Sequence, residues 1–91
     1  MSKLTSKTRR AANKNLGKVP TYHKSVGLAL AAILDALEPF GLAFGLLQHP
    51  KTATARVLLS WEGQEVSNSI LLVQTHHMEQ SGNIELTCYV S

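Results

Sequence analysis

The sequence predicts an α+β fold with a basic N-terminal arm and one main helix packed on a four-stranded antiparallel meander. Three observations support this class. Residues 26–38 carry apolar side chains at helical spacing, the apolar period falls to two after Pro39, and every acidic residue follows position 34. We therefore divide the 91 residues into a basic arm, residues 1–22, and a compact domain, residues 23–91.

The arm contains few large apolar side chains: Leu4, Leu16, Val19 and Tyr22. So small a set favours disorder in isolation. A short helix is the alternative, with Ser6 as its cap and Gly17 at its end. In that helix four basic residues would share one face, because they are spaced by four, three and four positions. These four are Lys3, Lys7, Arg10 and Lys14.

The main helix is predicted over Val26–Glu38. Ser25 is a suitable N-cap, and Pro39 ends the helix because proline has no backbone N–H to donate. The predicted apolar stripe consists of Val26, Leu30, Ile33 and Leu37, and the predicted solvent side of Ala31, Asp35 and Glu38. Most other positions are leucine or alanine, which suits a helix that covers a sheet.

Four strands with alternating apolar residues are predicted after this helix. The first spans Phe40–Leu47, although its glycines make a second short helix the alternative. The other three span residues 54–61, 66–75 and 84–90. Turns are predicted at Gln48–Lys51, Glu62–Gln64 and Ser81–Asn83. The predicted core comprises Leu30, Ile33, Val57, Leu59, Leu72 and Leu86.

Charge is strongly segregated along the chain. Residues 1–34 hold seven basic residues and no acid, a net charge of +7, whereas residues 35–91 hold two basic and six acidic residues, a net charge of −4. Such a cationic segment attracts polyanions such as nucleic acid, a ribonucleoprotein or an anionic membrane, and a solvated tail is the alternative. The predicted binding residues are Lys3, Lys7, Arg9, Arg10, Lys14, Lys18 and Lys24.

The sequence holds no signature of catalysis: it has no Gly-rich phosphate loop, no nucleophile elbow and no Cys-x-x-Cys pair. Asp35 and Glu38 are expected to form a solvated helix face. His76 and His77 are adjacent, so on a strand they face opposite ways and cannot chelate one ion together. We predict no enzyme activity, no cofactor and no metal site; a small enzyme or metalloprotein that uses the histidines is the alternative.

Two aromatic residues stand in the predicted strands. Trp61 has the parity of core residues and is expected inside, whereas Tyr89 shares a face with Glu85. A single tyrosine beside a carboxylate is a poor platform for base stacking, so the sheet is not predicted to recognise RNA.

The apolar stretch Val26–Leu47 raises the question of a membrane span. Asp35 and Glu38 would lie near its centre, where charges are costly, so we predict no span. The lone Cys88 excludes an intramolecular disulfide and suits a reducing cytosol. We therefore expect a cytoplasmic protein, with an organellar transit segment at the N-terminus as the alternative.

Three features together carry a resemblance to a known class of protein: the basic arm Ser6–Lys14, the single helix Val26–Glu38, and the meander closed by Leu86–Val90. This profile resembles the small phage-encoded anti-CRISPR proteins, in particular the inhibitors of type I-F Cascade. The resemblance implies an inhibitor that binds an RNA-guided surveillance complex without catalysis, meeting Cas proteins and crRNA in the host cytoplasm. These families share no common motif, so no functional residue carries over.

We therefore predict a non-enzymatic binding protein whose basic arm engages a nucleic acid or a ribonucleoprotein while the folded domain docks on protein. Its most specific form is an anti-CRISPR inhibitor of a type I crRNA-guided surveillance complex. The alternative is a small regulatory or architectural DNA/RNA-binding protein that acts on free nucleic acid, as an oligomer.

Overall fold

A computed structural model describes residues 2–45 and 54–91, which fold as two helices and a five-stranded antiparallel sheet. The elements in chain order are α1 (Ser6–Leu16), β1 (Tyr22–His23), α2 (Val26–Leu37), a 3₁₀ turn (Glu38–Phe40), β2 (Leu42–Phe44), β3 (Thr54–Trp61), β4 (Gln64–His77) and β5 (Ile84–Val90). The strand order is β1-β5-β4-β3-β2. The α+β class is confirmed, but the sheet has one more strand than the predicted meander, because β1 pairs with β5.

The β3–β4 hairpin illustrates how local sequence sets the register. Trp61 pairs with Gln64, so the loop has two residues, Glu62 with φ 50° and Gly63 with φ 83°. Positive φ at both positions is the geometry whose twist matches that of the flanking strands. A register shift follows between Leu58 and Ser60.

Helix α2 begins where the sequence predicts, since the Ser25 side chain accepts a hydrogen bond from the Leu28 backbone N–H. Its fully buried positions are Val26, Ala29, Ile33 and Leu37. Leu30, predicted for this stripe, is only half-buried. Because almost every position of the helix is apolar, its sequence pattern does not distinguish the stripe through Ala29 from the one through Leu30.

Of the two alternatives considered for residues 40–47, the described part of the segment has the strand, but a shorter one than predicted. Phe40 ends the 3₁₀ turn, Gly41 follows with φ 71°, and β2 covers only Leu42–Phe44. A left-handed residue suits glycine, and it separates the helical turn from the strand. Leu46 and Leu47, and the turn predicted at Gln48–Lys51, lie outside the described residues.

The core lies between α2 and one face of the sheet. Its largest fully buried side chains are Ile33, Leu37, Leu59, Leu71, Val73 and Val90. Ile33, Val57, Leu59 and Leu86 were predicted for the core, and all four are buried. The prediction for Leu72 is wrong: it is half-buried on the opposite face, directly across from Arg56. Residues 70–73 are apolar without a break, so alternation alone does not decide which parity faces the core.

The N-terminal segment is part of the same fold. Of the two states that the sequence left open, the structure has the helix, and Leu4, Ala12 and Leu16 are buried in the common core. Ser2 also forms a parallel bridge with Val66 of β4. The basic segment is therefore packed against the domain. Among the described residues, neither helix has the length and apolar content that a membrane span requires.

Candidate nucleic-acid interface

Helix α1 is fixed to its neighbours by the side-chain amides of two asparagines. Asn13 Oδ1 accepts the Val90 N–H at 2.7 Å, and Asn13 Nδ2 donates to the Val90 carbonyl at 2.8 Å. This pair of bonds satisfies the end of β5 as a neighbouring strand would. On another side of the helix, Asn15 Nδ2 donates to the Ala36 carbonyl of α2 at 2.6 Å. The two contacts together set the rotation of α1 about its axis.

The residues before α1 are held by a third amide. Asn68 Oδ1 accepts the Leu4 N–H at 2.7 Å, and Asn68 Nδ2 donates to the Leu4 carbonyl at 3.0 Å. The Ser2 N–H donates to the Glu65 carbonyl, and the Ser67 N–H donates to the Ser2 carbonyl, both at 2.9 Å. These bonds pair the start of the chain with the first half of β4, beyond the end of β5.

One of the predicted binding residues faces the protein. Arg9 is half-buried, and its Nε donates to Ser69 Oγ at 2.9 Å. Ser69 is the buried polar residue of the core face, so this bond satisfies a hydroxyl that water does not reach. Arg9 therefore has a structural role that its position in the sequence did not indicate.

The other basic residues of α1 point to solvent. Lys7, Arg10 and Lys14 are exposed and lie on the side of the helix away from the buried Ala12 and Leu16. We call these three residues the cationic face. Within residues 2–45 and 54–91, no acidic side chain forms an ion pair with them.

The remaining predicted cations are exposed but lie off the helix. Lys3 precedes α1, since Thr5 caps it by accepting the Thr8 N–H, so Lys3 does not share the predicted helical stripe. Lys18 lies in the turn after α1, and Lys24 lies between β1 and α2. The structure thus groups three of the seven predicted residues on one helical surface.

Among the described residues, neither helix covers the face of the sheet opposite to the core, and α1 meets the sheet at the edge of β5. Asn13 touches the edge of β5, and Arg10, three residues before it, is its helical neighbour on the side away from the core. Val90 is the edge residue that Asn13 binds, and Tyr89 before it points to the opposite side of the sheet. Arg10 is therefore the exposed cation of α1 that lies nearest to this edge of the sheet.

We call this uncovered surface the open face. Residues directly paired across strands share a face, so the register defines its rows. One row is Arg56, Leu72 and Tyr89; the next is Thr54, Gln74 and Thr87; the third is His76, Glu85 and Tyr22. Tyr89 is 52% exposed and Tyr22 is 55% exposed.

The aromatic residues are thus arranged differently from the prediction of one exposed tyrosine. Trp61 packs against the core, and its Nε1 donates to the Phe40 carbonyl at 3.1 Å. Tyr22 joins the open face through β1, a strand of two residues that is too short for any periodicity to predict. The open face therefore carries two tyrosines.

A shallow depression of about 220 Å³ lies on the open face beside these tyrosines, in the second and third rows. The residues that line it all have polar side chains: Thr54, Gln74, Thr75, His76, Glu85 and Thr87. Thr87 Oγ1 donates to Gln74 Oε1 at 3.2 Å. The depression thus presents amide, imidazole, carboxylate and hydroxyl groups side by side.

Three observations concern the residues named for the alternatives of catalysis and metal binding. In the described parts of the chain, no group of three or more His, Cys, Asp and Glu side chains is placed to hold a metal ion; His49 lies outside them. Asp35 and Glu38 are exposed. Burial raises the pKa of the Cys88 thiol, which keeps it protonated and poorly nucleophilic.

No protein-family model, curated protein or solved structure matches this chain. The resemblance to anti-CRISPR inhibitors therefore stays a prediction. The fold itself offers two candidate binding surfaces, the cationic face and the open face.

Proposed function

We propose that this protein is a non-enzymatic binding module that engages the phosphate backbone of a nucleic acid, free or within a ribonucleoprotein, through the cationic face. The observation that supports the proposal is the docking of α1. Asn13 and Asn15 fix the helix so that Lys7, Arg10 and Lys14 project together into solvent, with no acidic partner in the described part of the chain.

The spacing of these cations suits a phosphate backbone. Lys7 and Lys14 are seven residues apart, or about 10 Å along the helix axis. One strand of a duplex carries a phosphate about every 3.4 Å of axis, so the face matches the length of about three phosphates. Since the helix is docked before it meets a ligand, binding does not have to include the entropic cost of ordering a free arm.

The more specific form of the proposal follows from the anti-CRISPR resemblance: the polyanion would be the crRNA of a type I-F surveillance complex. The alternative is free DNA or RNA. Affinity for a naked oligonucleotide, compared with affinity for a crRNA-loaded complex, separates the two. At least tenfold tighter binding to the loaded complex is expected from the specific form; equal affinity would favour free nucleic acid.

Replacing Lys7, Arg10 and Lys14 together by glutamine should weaken nucleic-acid binding and reduce its salt dependence. If all three contact phosphates, the slope of log affinity against log salt should become shallower by about 2.7 on duplex or about 2.1 on single strands. At physiological salt the loss should be on the order of 10- to 100-fold. Fluorescence anisotropy between about 50 and 200 mM salt measures both quantities.

The matched control places the same change in net charge on another surface. Gly27, Ala31 and Leu34 lie on the exposed side of α2, and replacing all three by glutamate also changes the net charge by −3. This control should keep most of the wild-type salt slope, because only the cationic face is expected to displace counterions. A control that flattens the slope as much as the glutamine variant would contradict a local phosphate site.

A further inference from the structure

We infer that the nucleic acid is single-stranded and that its bases stack on Tyr22 and Tyr89 across the open face, while the cationic face holds the adjoining phosphates. This inference rests on the proposed function and names its ligand more closely. It assigns a second surface to binding, on the sheet and not on the helix.

The first support is the placement of the two rings. Tyr89 and Glu85 are four residues apart on the same face of β5, about 14 Å along the strand, and Tyr22 pairs directly with Glu85. Both rings are more than half exposed. Exposed aromatic rings on a sheet surface are the usual platform for unpaired bases, and every base has a π-face to stack on them.

The second support is the depression beside the rings, which polar residues line. A planar base held there would bring its edge to Gln74, His76 and Glu85, which offer both donors and acceptors. Glu85 repels phosphate, but its carboxylate accepts hydrogen bonds from the exocyclic amines of bases. The Glu85 carboxylate on this surface therefore suits contact with base edges better than contact with a sugar–phosphate backbone.

The third support is the position of the positive charges around the rings. Arg56 lies in the same row as Tyr89, and Arg10 is the exposed cation of α1 nearest to the edge of β5. Lys24 is exposed two residues after Tyr22. Each ring therefore has a cation nearby. If a single-stranded nucleic acid placed its bases on the open face, these cations would neutralise its phosphates at the edges of that face.

A duplex does not fit this arrangement, because its bases are already stacked and their faces are inaccessible. A protein partner is the competing occupant, since Leu58 is 63% exposed and pairs with Ile70 at one end of the open face. The polar depression and the surrounding cations favour nucleic acid.

The experiment measures binding of a labelled single-stranded oligonucleotide, the same oligonucleotide with abasic sites, and the matching duplex. The wild type should bind the normal single strand at least tenfold more tightly than either of the other two. Tyr22→Ala and Tyr89→Ala should each weaken binding to the normal strand by roughly 5- to 150-fold and leave binding to the abasic strand nearly unchanged.

Phenylalanine variants supply the control for the rings. Tyr22→Phe and Tyr89→Phe keep the aromatic face and should bind within about twofold of the wild type, because stacking does not require the hydroxyl. Leu34→Ala removes an apolar side chain from α2, remote from the open face, and should bind like the wild type. Thermal melting confirms that each variant is folded.

Failure of this inference is distinct from failure of the proposed function. Tyrosine variants that bind like the wild type, while the triple glutamine variant of the cationic face loses affinity, would overturn the stacking and leave the phosphate site standing. If the wild type bound none of the three oligonucleotides and did not bind the crRNA-loaded complex, both would be overturned. Self-association that Leu58→Asp abolishes, and that the oligonucleotide does not compete with, would assign the open face to a second copy of the chain.

Discussion

Replacing Ile33 by alanine should lower the free energy of unfolding by about 2–5 kcal/mol. Ile33 is completely buried between α2 and the sheet, so truncation removes apolar contacts and leaves a cavity that the packed neighbours fill only in part. A domain of this size has a total stability of about 5–15 kcal/mol, so the loss is a large share of it. Urea denaturation followed by circular dichroism measures the change.

Two substitutions on the same helix calibrate this result. Leu30→Ala should cost less than Ile33→Ala, because Leu30 is only half-buried and water can fill part of the space that it leaves. Leu34→Ala, at a position 38% exposed, should change stability by less than about 1 kcal/mol. If Leu30→Ala proved the costliest of the three, α2 would have to be rotated relative to the sheet.

The same helix shows what a sequence pattern can and cannot determine. Its start at Ser25 and its end before Pro39 were predictable, because capping and the missing proline N–H are local effects. Its rotation was not, since an almost uniformly apolar helix offers several stripes. The choice between Leu71 and Leu72 in β4 was open for the same reason, and it was decided by pairing with Val57 of β3.

The candidate site was likewise predictable only in part. The cations of α1 were predictable from charge alone, since charge is a property of the residue itself. The bond of Arg9 to Ser69 joins residues sixty positions apart, and no local pattern reports such a contact. Tyr22 lies on the open face because its two-residue strand pairs with β5.

Helix α1 is the element for which the apolar count was most misleading. Of the described residues before β1, three are buried: Leu4, Ala12 and Leu16. The rest of the attachment is polar: Asn13 and Asn68 each make two bonds to a backbone unit that would otherwise lack a partner at the sheet margin. Hydrogen bonds from asparagine amides leave no periodic apolar pattern in the sequence, so pattern analysis does not detect this mode of docking.

Deleting residues 1–17 should therefore abolish cooperative folding, and not merely remove a binding arm. The deletion strips Leu4 and Leu16 from the core, each worth on the order of 2–5 kcal/mol, and it leaves the Val90 backbone and the Ser69 hydroxyl without their partners. The summed loss is comparable to the whole stability of a small domain. Circular dichroism melting should show no cooperative transition for the truncated chain.

The triple glutamine variant of Lys7, Arg10 and Lys14 is the matched control for this deletion, because it removes the charges and keeps every buried contact of α1. It should melt within a few degrees of the wild type, since exposed surface substitutions change stability by about 0.5 kcal/mol or less. A truncated chain that still melts cooperatively near the wild-type temperature would show that α1 contributes little to the core. Loss of binding in the truncated chain alone would not distinguish loss of the fold from loss of phosphate contacts. The glutamine variant does distinguish them, because it removes the charges and keeps the fold.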